Sequence, residues 1–475
     1  MADRVKRGIA WVTISTITRN IISLAQISIL ARILDKADFG IMAIAMLFVN
    51  FTQLFMDMGV SAGIIHIPKI TQKEYSSLYW FNVFFGFALT TILLLITPVI
   101  SSLYNSEILR DVIYILCLSV FITSIGNQQR IVCQKLTHFK RLAILDILTS
   151  MLSIFTSTSL ALQGYGVFSL AIAALAGTFF NNVSHLVLGL KFDNKIKFHF
   201  VIDEVKPFLK IGIYSVGSKI LDFATREMDV MIISATLGLD FLGIYNLAKR
   251  ICLAIYNFVT PAISTVFTPL FAEINTNKDK LYDGYIKLIK SISVMSLPLF
   301  SLIAILSPTI MLIVFGKNFI EGAPVQSVFA IMYAFNSFLS VCSSLQVATG
   351  RTDIGLKWTI LSVIATAIIF YTSSLYGITI FLFGILLRIF IDVIGIWYIQ
   401  LKPMIHIRLS DYIAIFKIPF FICFGLSIPV FIFFYYPSLI LSIVIGVLFS
   451  SIYLFLLSLS NYRPFLIYIY NRIKQ

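Results

Sequence analysis

Apolar stretches of about twenty residues follow one another along nearly the whole chain, separated by short polar connections. They run over roughly 9–33, 40–63, 77–103, 111–133, 142–162, 167–190, 211–235, 241–271, 285–315, 323–348, 354–374, 378–400, 411–434 and 438–459. As helices, runs of this length cover the ~30 Å hydrocarbon core of a bilayer. Transmembrane strands would be ~10 residues long with strict alternation, a pattern this chain lacks. The predicted fold is therefore an all-α polytopic membrane protein of about 14 transmembrane helices.

Part of the pattern repeats. With a constant offset of 203 and no gap, Ile29/Ile232, Leu34/Leu237, Gly40/Gly243, Ile41/Ile244 and Ala45/Ala248 are identical. Each copy covers the end of one span, a tight turn and the start of the next. Six spans separate the copies, so both halves would face the membrane the same way, the parallel-repeat plan found among secondary transporters. The expected organisation is two pseudo-symmetric six-helix lobes, residues 1–190 and 211–400. Residues 191–210 form a cytoplasmic linker between them, and 401–475 add two C-terminal helices and a tail.

Composition changes little in this picture, but charge orients it. The chain is 59% hydrophobic and 12% charged, with a formal net charge of +14. Most of the 36 basic residues fall on alternate connections, from Arg4, Lys6 and Arg7 through the lysines of 191–210 to Arg463, Arg472 and Lys474. The opposite connections hold only Arg32, Lys36, Arg110 and Lys317. This bias follows the positive-inside rule with both termini cytoplasmic, and it accounts for the charge without nucleic acid. The basic-then-apolar start is read as an uncleaved first helix, because Arg19 interrupts the run and further spans follow. Five scattered cysteines and five histidines show no metal-ligand spacing, and no phosphate-binding glycine loop is present. No cofactor, metal or catalytic constellation is expected.

Candidate chemistry lies in the polar residues inside the spans, where a charge costs a few kcal/mol. Span 1 carries Ser15, Arg19, Ser23 and Gln26 on one face. Span 7 carries Ser215, Lys219, Asp222, Arg226 and Asp229 at steps of 3 and 4, again one face. Span 2 offers Asn50, Gln53 and Asp57; span 8 offers Lys249 and Arg250, with Tyr245 and Tyr256 nearby. Arg388 and Asp392 stand four apart on span 12, suited to an intrahelical ion pair. Stripes on spans 1, 2, 7 and 8 would line a cavity with surplus positive charge, which suits an anionic ligand. Arginine binds phosphate oxygens with several planar donors and keeps its proton. Bland readings stand beside this one. Asp222 or Asp229 could neutralise Lys219 or Arg226, Lys249 and Arg250 could snorkel to the interface, and Asp57 could be a helix-end residue.

The stretch L-A-R-x-L-x-x-x-D-F-G from Leu30 to Gly40, followed by G-x-x-x-G-I-I-H from Gly59 to His66, resembles the polysaccharide-exporter branch of the multidrug/oligosaccharidyl-lipid/polysaccharide superfamily. Within it the chain is similar to Wzx-type flippases. Lys36 and Ala37 stand where relatives more often have proline or serine. The resemblance implies a two-lobed flippase working by alternating access in the bacterial inner membrane. Its substrate would be an undecaprenyl-diphosphate-linked oligosaccharide for O-antigen, capsule or exopolysaccharide synthesis.

By this analogy Arg19, Arg226, Lys219, Lys249 and Arg250 contact diphosphate or acidic sugars, with Gln26 beside them. Tyr245 and Tyr256 stack on sugar rings. Asp57, Asp222, Asp229, Arg388 and Asp392 balance charge or couple transport to an ion, H+ or Na+. Membrane lipids, a polysaccharide polymerase and assembly proteins are the further partners implied. The alternatives are a cation-coupled multidrug exporter, a lipid II flippase and, more remotely, a membrane polysaccharide polymerase.

Overall fold

A computed structural model describes residues 2–56, 64, 67, 70–192, 196–273, 278–417, 421, 448–449 and 451–453. Asp57 and most of the expected spans over 411–434 and 438–459 lie outside the described residues. The chain divides into two compact units, Met1–Gly243 and Ile244–Gln475.

The first unit holds α1 (Ala2–Leu30), α2 (Lys36–Met56), α3 (Gln72–Leu103), α4 (Glu107–Lys135), α5 (Phe139–Leu162), α6 (Val167–Phe192) and α7 (Ile202–Thr236). Helix α8 (Leu239–Glu273) begins at its edge and runs into the second unit. There follow α9 (Lys278–Ile305), α10 (Ser307–Phe315), a 3-10 turn (Lys317–Gly322), α11 (Ala323–Thr349), α12 (Thr352–Ser374) and α13 (Ile378–Gly395). Among the described residues, eight helices are long and apolar enough to cross a membrane, nine when a bent pair is counted as one span. This is a multi-pass helical membrane protein. Helices α1 and α7, 29 and 35 residues long, fall outside that set, and both carry polar stripes.

Local chemistry sets the helix ends. Thr71 and Glu74 form a reciprocal capping box at the start of α3, and Ser106 accepts from Leu109 N–H to start α4. Near Leu306 the second unit bends by 70° between α9 and α10. Pro308 has no N–H to give the carbonyl of Ala304, and the Ser327 hydroxyl donates to that carbonyl instead, at 2.8 Å.

Helix packing in the first unit depends on small residues and on register. Helices α1 and α5 pair at a constant offset of 127, Arg19 with Asp146 and Gln26 with Ser153. An offset held across seven residues means the two helices run parallel and side by side. Gly126 of α4 lies directly against the Asn182 backbone of α6.

The repeated glycines make a close crossing. A methyl group at Gly40 would overlap the Leu239 carbonyl oxygen, and one at Gly243 would overlap the Lys36 carbonyl oxygen. Lys36/Leu239 and Gly40/Gly243 are both related by the offset of 203, so the contact is reciprocal, as a local two-fold would make it. The expected linker 191–210 and α7 fall inside the first unit. Glu204 at the start of α7 accepts from Ser77 of α3 at 2.6 Å, and Phe223 packs on Phe51 of α2.

Candidate functional site

Four helices of the first unit turn polar stripes toward one another. Helix α1 contributes Ser15, Arg19, Ser23 and Gln26, and α4 contributes Thr123, Asn127, Arg130 and Gln134 at steps of 4, 3 and 4. Helix α5 contributes Asp146, Thr149, Ser150 and Ser153, while α6 contributes Thr178, Asn181 and Asn182. They enclose a polar chamber of about 430 Å³. A second cavity, of about 410 Å³, lies toward the beginnings of α1 and α5, lined by Val12, Gln134, Lys135 and Phe139. Arg19, Arg130 and Asp146 line both.

Asp146 is the centre of this arrangement. Its Oδ2 accepts from Arg19 Nη1 at 2.9 Å and from Arg130 Nη2 at 3.3 Å. Its Oδ1 accepts from Asn181 Nδ2 at 3.3 Å, and the same amide donates to Thr149 Oγ1 at 3.0 Å. Two guanidiniums against one carboxylate leave a formal charge of +1. Both arginines are partly exposed, so their remaining N–H groups can meet a solute in either cavity. One turn and more along α1, Gln26 donates to Ser157 Oγ at 2.9 Å and Ser153 Oγ at 3.3 Å.

A third recess, of about 340 Å³, brings Asn50 and Gln53 of α2 against Lys219, Phe223 and Glu227 of α7. Gln53 also lines the polar chamber. Through Gln53, spans 1, 2 and 7 share a polar surface within the first unit. The ion-pair partner of Arg19 is nevertheless on α5, not on span 2, 7 or 8.

The other candidates have varied settings. Asp222 and Arg226 form an i,i+4 ion pair at 3.1 Å, both exposed. Asp229 is buried, and its carboxylate accepts from Val230 N–H at 2.8 Å. On α8, Lys249 is half-buried and Arg250 exposed. Tyr245 is fully buried, its ring 4.8 Å from that of Phe329 and 6.0 Å from that of Phe381. It packs, and in that position it cannot stack on a sugar. Tyr256 is half-buried beside Tyr333, ring centroids 5.2 Å apart. In the second unit Arg388 pairs with Asp392 at 2.5 Å and also donates to Thr366 and Ser362 of α12. Among the described residues no group of three or more metal-ligating side chains occurs.

Residues 29–324 match the family of polysaccharide biosynthesis proteins. The chain belongs to that family. The polysaccharide biosynthesis relatives it resembles include the lipopolysaccharide biosynthesis protein WzxC of Escherichia coli, 26% identical over 90% of this chain and 86% of WzxC. The teichuronic acid biosynthesis protein TuaB of Bacillus subtilis is 26% identical over 75% of this chain and 74% of TuaB. In fold, this family member is similar to a structure of the lipid II flippase MurJ in an inward closed conformation. The TM-score is 0.77, at 18% identity, covering 96% of this chain and all of that one.

Sequence reasoning missed Asp146, Asn181 and the stripe of α4. Thr123, Asn127, Arg130 and Gln134 have the same 4-3-4 spacing as the stripes it did find. Arg130 is already accounted for as an inner-side basic residue, which hides its place in the stripe.

Proposed function

We propose that this protein is a flippase that carries undecaprenyl-diphosphate-linked oligosaccharide repeat units from the cytoplasmic to the outer leaflet of the bacterial inner membrane. Arg19 and Arg130, joined at Asp146 between two cavities, are the observation that carries this reading. A diphosphate needs several charge-assisted donors in a solvated recess, and guanidiniums supply them in fixed geometry. Lys219, facing Asn50 and Gln53 across the third recess, extends the cationic surface. Arg226, Lys249 and Arg250 are further candidates for phosphate or acidic sugars, and Tyr256 for a sugar ring.

The architecture that fits this task has fourteen spans in two six-helix lobes, 1–190 and 211–400, followed by 401–475. Both termini are cytoplasmic, and the substrate path opens alternately to each side. Membrane potential favours export of an anion by about 2.3 kcal/mol per charge per 100 mV, so a diphosphate can be driven without a cofactor. A coupled H+ or Na+ is the other drive this family plan accommodates, and the polymerase that consumes the product is the natural partner.

Translocation of a polyprenyl-diphosphate oligosaccharide in proteoliposomes tests the proposal. The wild type is expected to flip it and Arg19→Ala to fail while still folding. Failure of the wild type, with transport of organic cations against a proton gradient, would instead establish the multidrug reading. Transport of lipid II in preference to other glycans would establish the lipid II reading.

A further inference from the structure

A carboxylate occupies the position between Arg19 and Arg130 where a bound anion would sit. We propose that Asp146 is a resident counter-anion. The phosphate of the substrate displaces it from the two arginines, and it takes them back when the substrate leaves. This deepens the transport reading above and rests on it.

The two carboxylate oxygens have different jobs. Both guanidiniums converge on Oδ2, while Oδ1 is held by Asn181, whose amide is in turn tied to Thr149. When the arginines turn away, Asp146 keeps its Asn181 bond and is not stranded, as a buried carboxylate without partners would be. The arginines are each bound through one N–H, so most of their five donors are uncommitted to Asp146. Both cavities open onto the cluster, so an anion entering from one can reach the arginines and leave through the other. A site of two bare arginines would hold a diphosphate strongly and release it slowly. An internal competitor lowers the affinity in the state from which product must depart. If Asp146 served only to pin α1 to α4 and α5, its removal would loosen the arginines and weaken anion binding.

Calorimetric binding of inorganic diphosphate to the purified full-length protein separates the two. Asp146→Asn is expected to bind about tenfold more tightly than wild type, since a charge-assisted competitor is gone. In proteoliposomes the same variant is expected to flip the lipid-linked oligosaccharide more slowly despite its tighter binding. Asn181→Leu removes the bond that keeps the displaced carboxylate satisfied and is expected to weaken diphosphate binding several-fold. Should Asp146→Asn not fold, Asp146→Ser, which also removes the carboxylate, is read the same way. Unchanged or weaker binding by Asp146→Asn, or unchanged binding by Asn181→Leu, overturns the exchange. Tighter binding by Asp146→Asn in a protein whose wild type flips no lipid-linked sugar keeps the exchange and removes the transport reading.

Discussion

The two units each contain an arginine–aspartate centre, and the two are built in different ways. In the second unit Arg388 and Asp392 are one turn apart on α13, with side chains 8% and 19% exposed, and two hydroxyls of α12 take further guanidinium N–H groups. In the first, Asp146 at 13% exposure joins Arg19 at 41% and Arg130 at 36%, drawn from three helices and bordering two cavities. The same ion pair is thus sealed in one place and open in the other. A sealed pair has spent its donors on the protein, and breaking it leaves a buried charge. An open pair contributes little to stability, because water replaces what a partner gave, and its spare donors remain for a ligand. Exposure and donor count distinguish these two arginine settings, where residue type alone does not.

The sharpest way to break this contrast is to remove one member of the sealed pair. Arg388→Ala leaves the mostly buried Asp392 without its cation and is expected to lower stability by about 3–5 kcal/mol. The paired change Arg388→Met with Asp392→Leu should recover most of that loss, because no charge is left behind. Thermal unfolding in detergent measures both. A double variant no more stable than the single one would show that the pair is not sealed.

This sealed pair was legible from the start, since i,i+4 spacing on one helix needs no knowledge of the fold. Eight of the long apolar runs were equally legible as spans, and the stripes of α1 and α7 could be read from spacing. The link from Arg19 to Asp146 was not. It joins helices 127 residues apart, and only packing sets which stripe faces which. The repeat over 29–45 and 232–248 told that two turns were alike, but not that Gly40 and Gly243 would touch each other's helix. Tyr245, two residues after Gly243, looked like a cavity residue near Lys249 and Arg250. It is buried because Phe329 and Phe381 from distant segments close over it.

A smaller effect is expected from the hydroxyl side of the sealed centre. Thr366→Val keeps the shape but takes an acceptor from a buried guanidinium, and about 1.5–3 kcal/mol of stability should go with it. Transport by this variant should fall only as far as the folded fraction falls. Transport lost at full stability would place Arg388 in the substrate path and end the contrast.

The open centre should respond the other way round. Arg19→Ala is expected to change stability by no more than about 1 kcal/mol, the range for exposed pairs, because Asp146 keeps Arg130 and Asn181. Its translocation of lipid-linked oligosaccharide should nevertheless fall at least about tenfold, the equivalent of one charge-assisted hydrogen bond. Matching losses of stability and transport would make Arg19 a structural residue like Arg388.

A half-buried carboxylate completes the series at its weak end. Glu204, in the first turn of α7 before its apolar part begins, accepts from Ser77 at 2.6 Å, and His199 Nε2 lies 3.1 Å from both of its oxygens. The Ser77 hydrogen bond first, and then His199, hold this carboxyl below its ordinary 4.5. A carboxyl whose pKa is lowered by folding contributes stability that is fully present above the unfolded value. That contribution is lost as pH falls through the lowered one. The segment it tethers carries Lys197, whose carbonyl takes the Trp80 indole N–H at 3.0 Å, and Phe198, whose ring stacks 4.6 Å from that of Trp80. Fluorescence assigned to Trp80 by comparison with Trp80→Phe should therefore stay constant from pH 7 down to about 5 and change only in more acid solution. In Glu204→Gln that acid step should disappear. A transition that persists in Glu204→Gln would show that Glu204 does not control the tether.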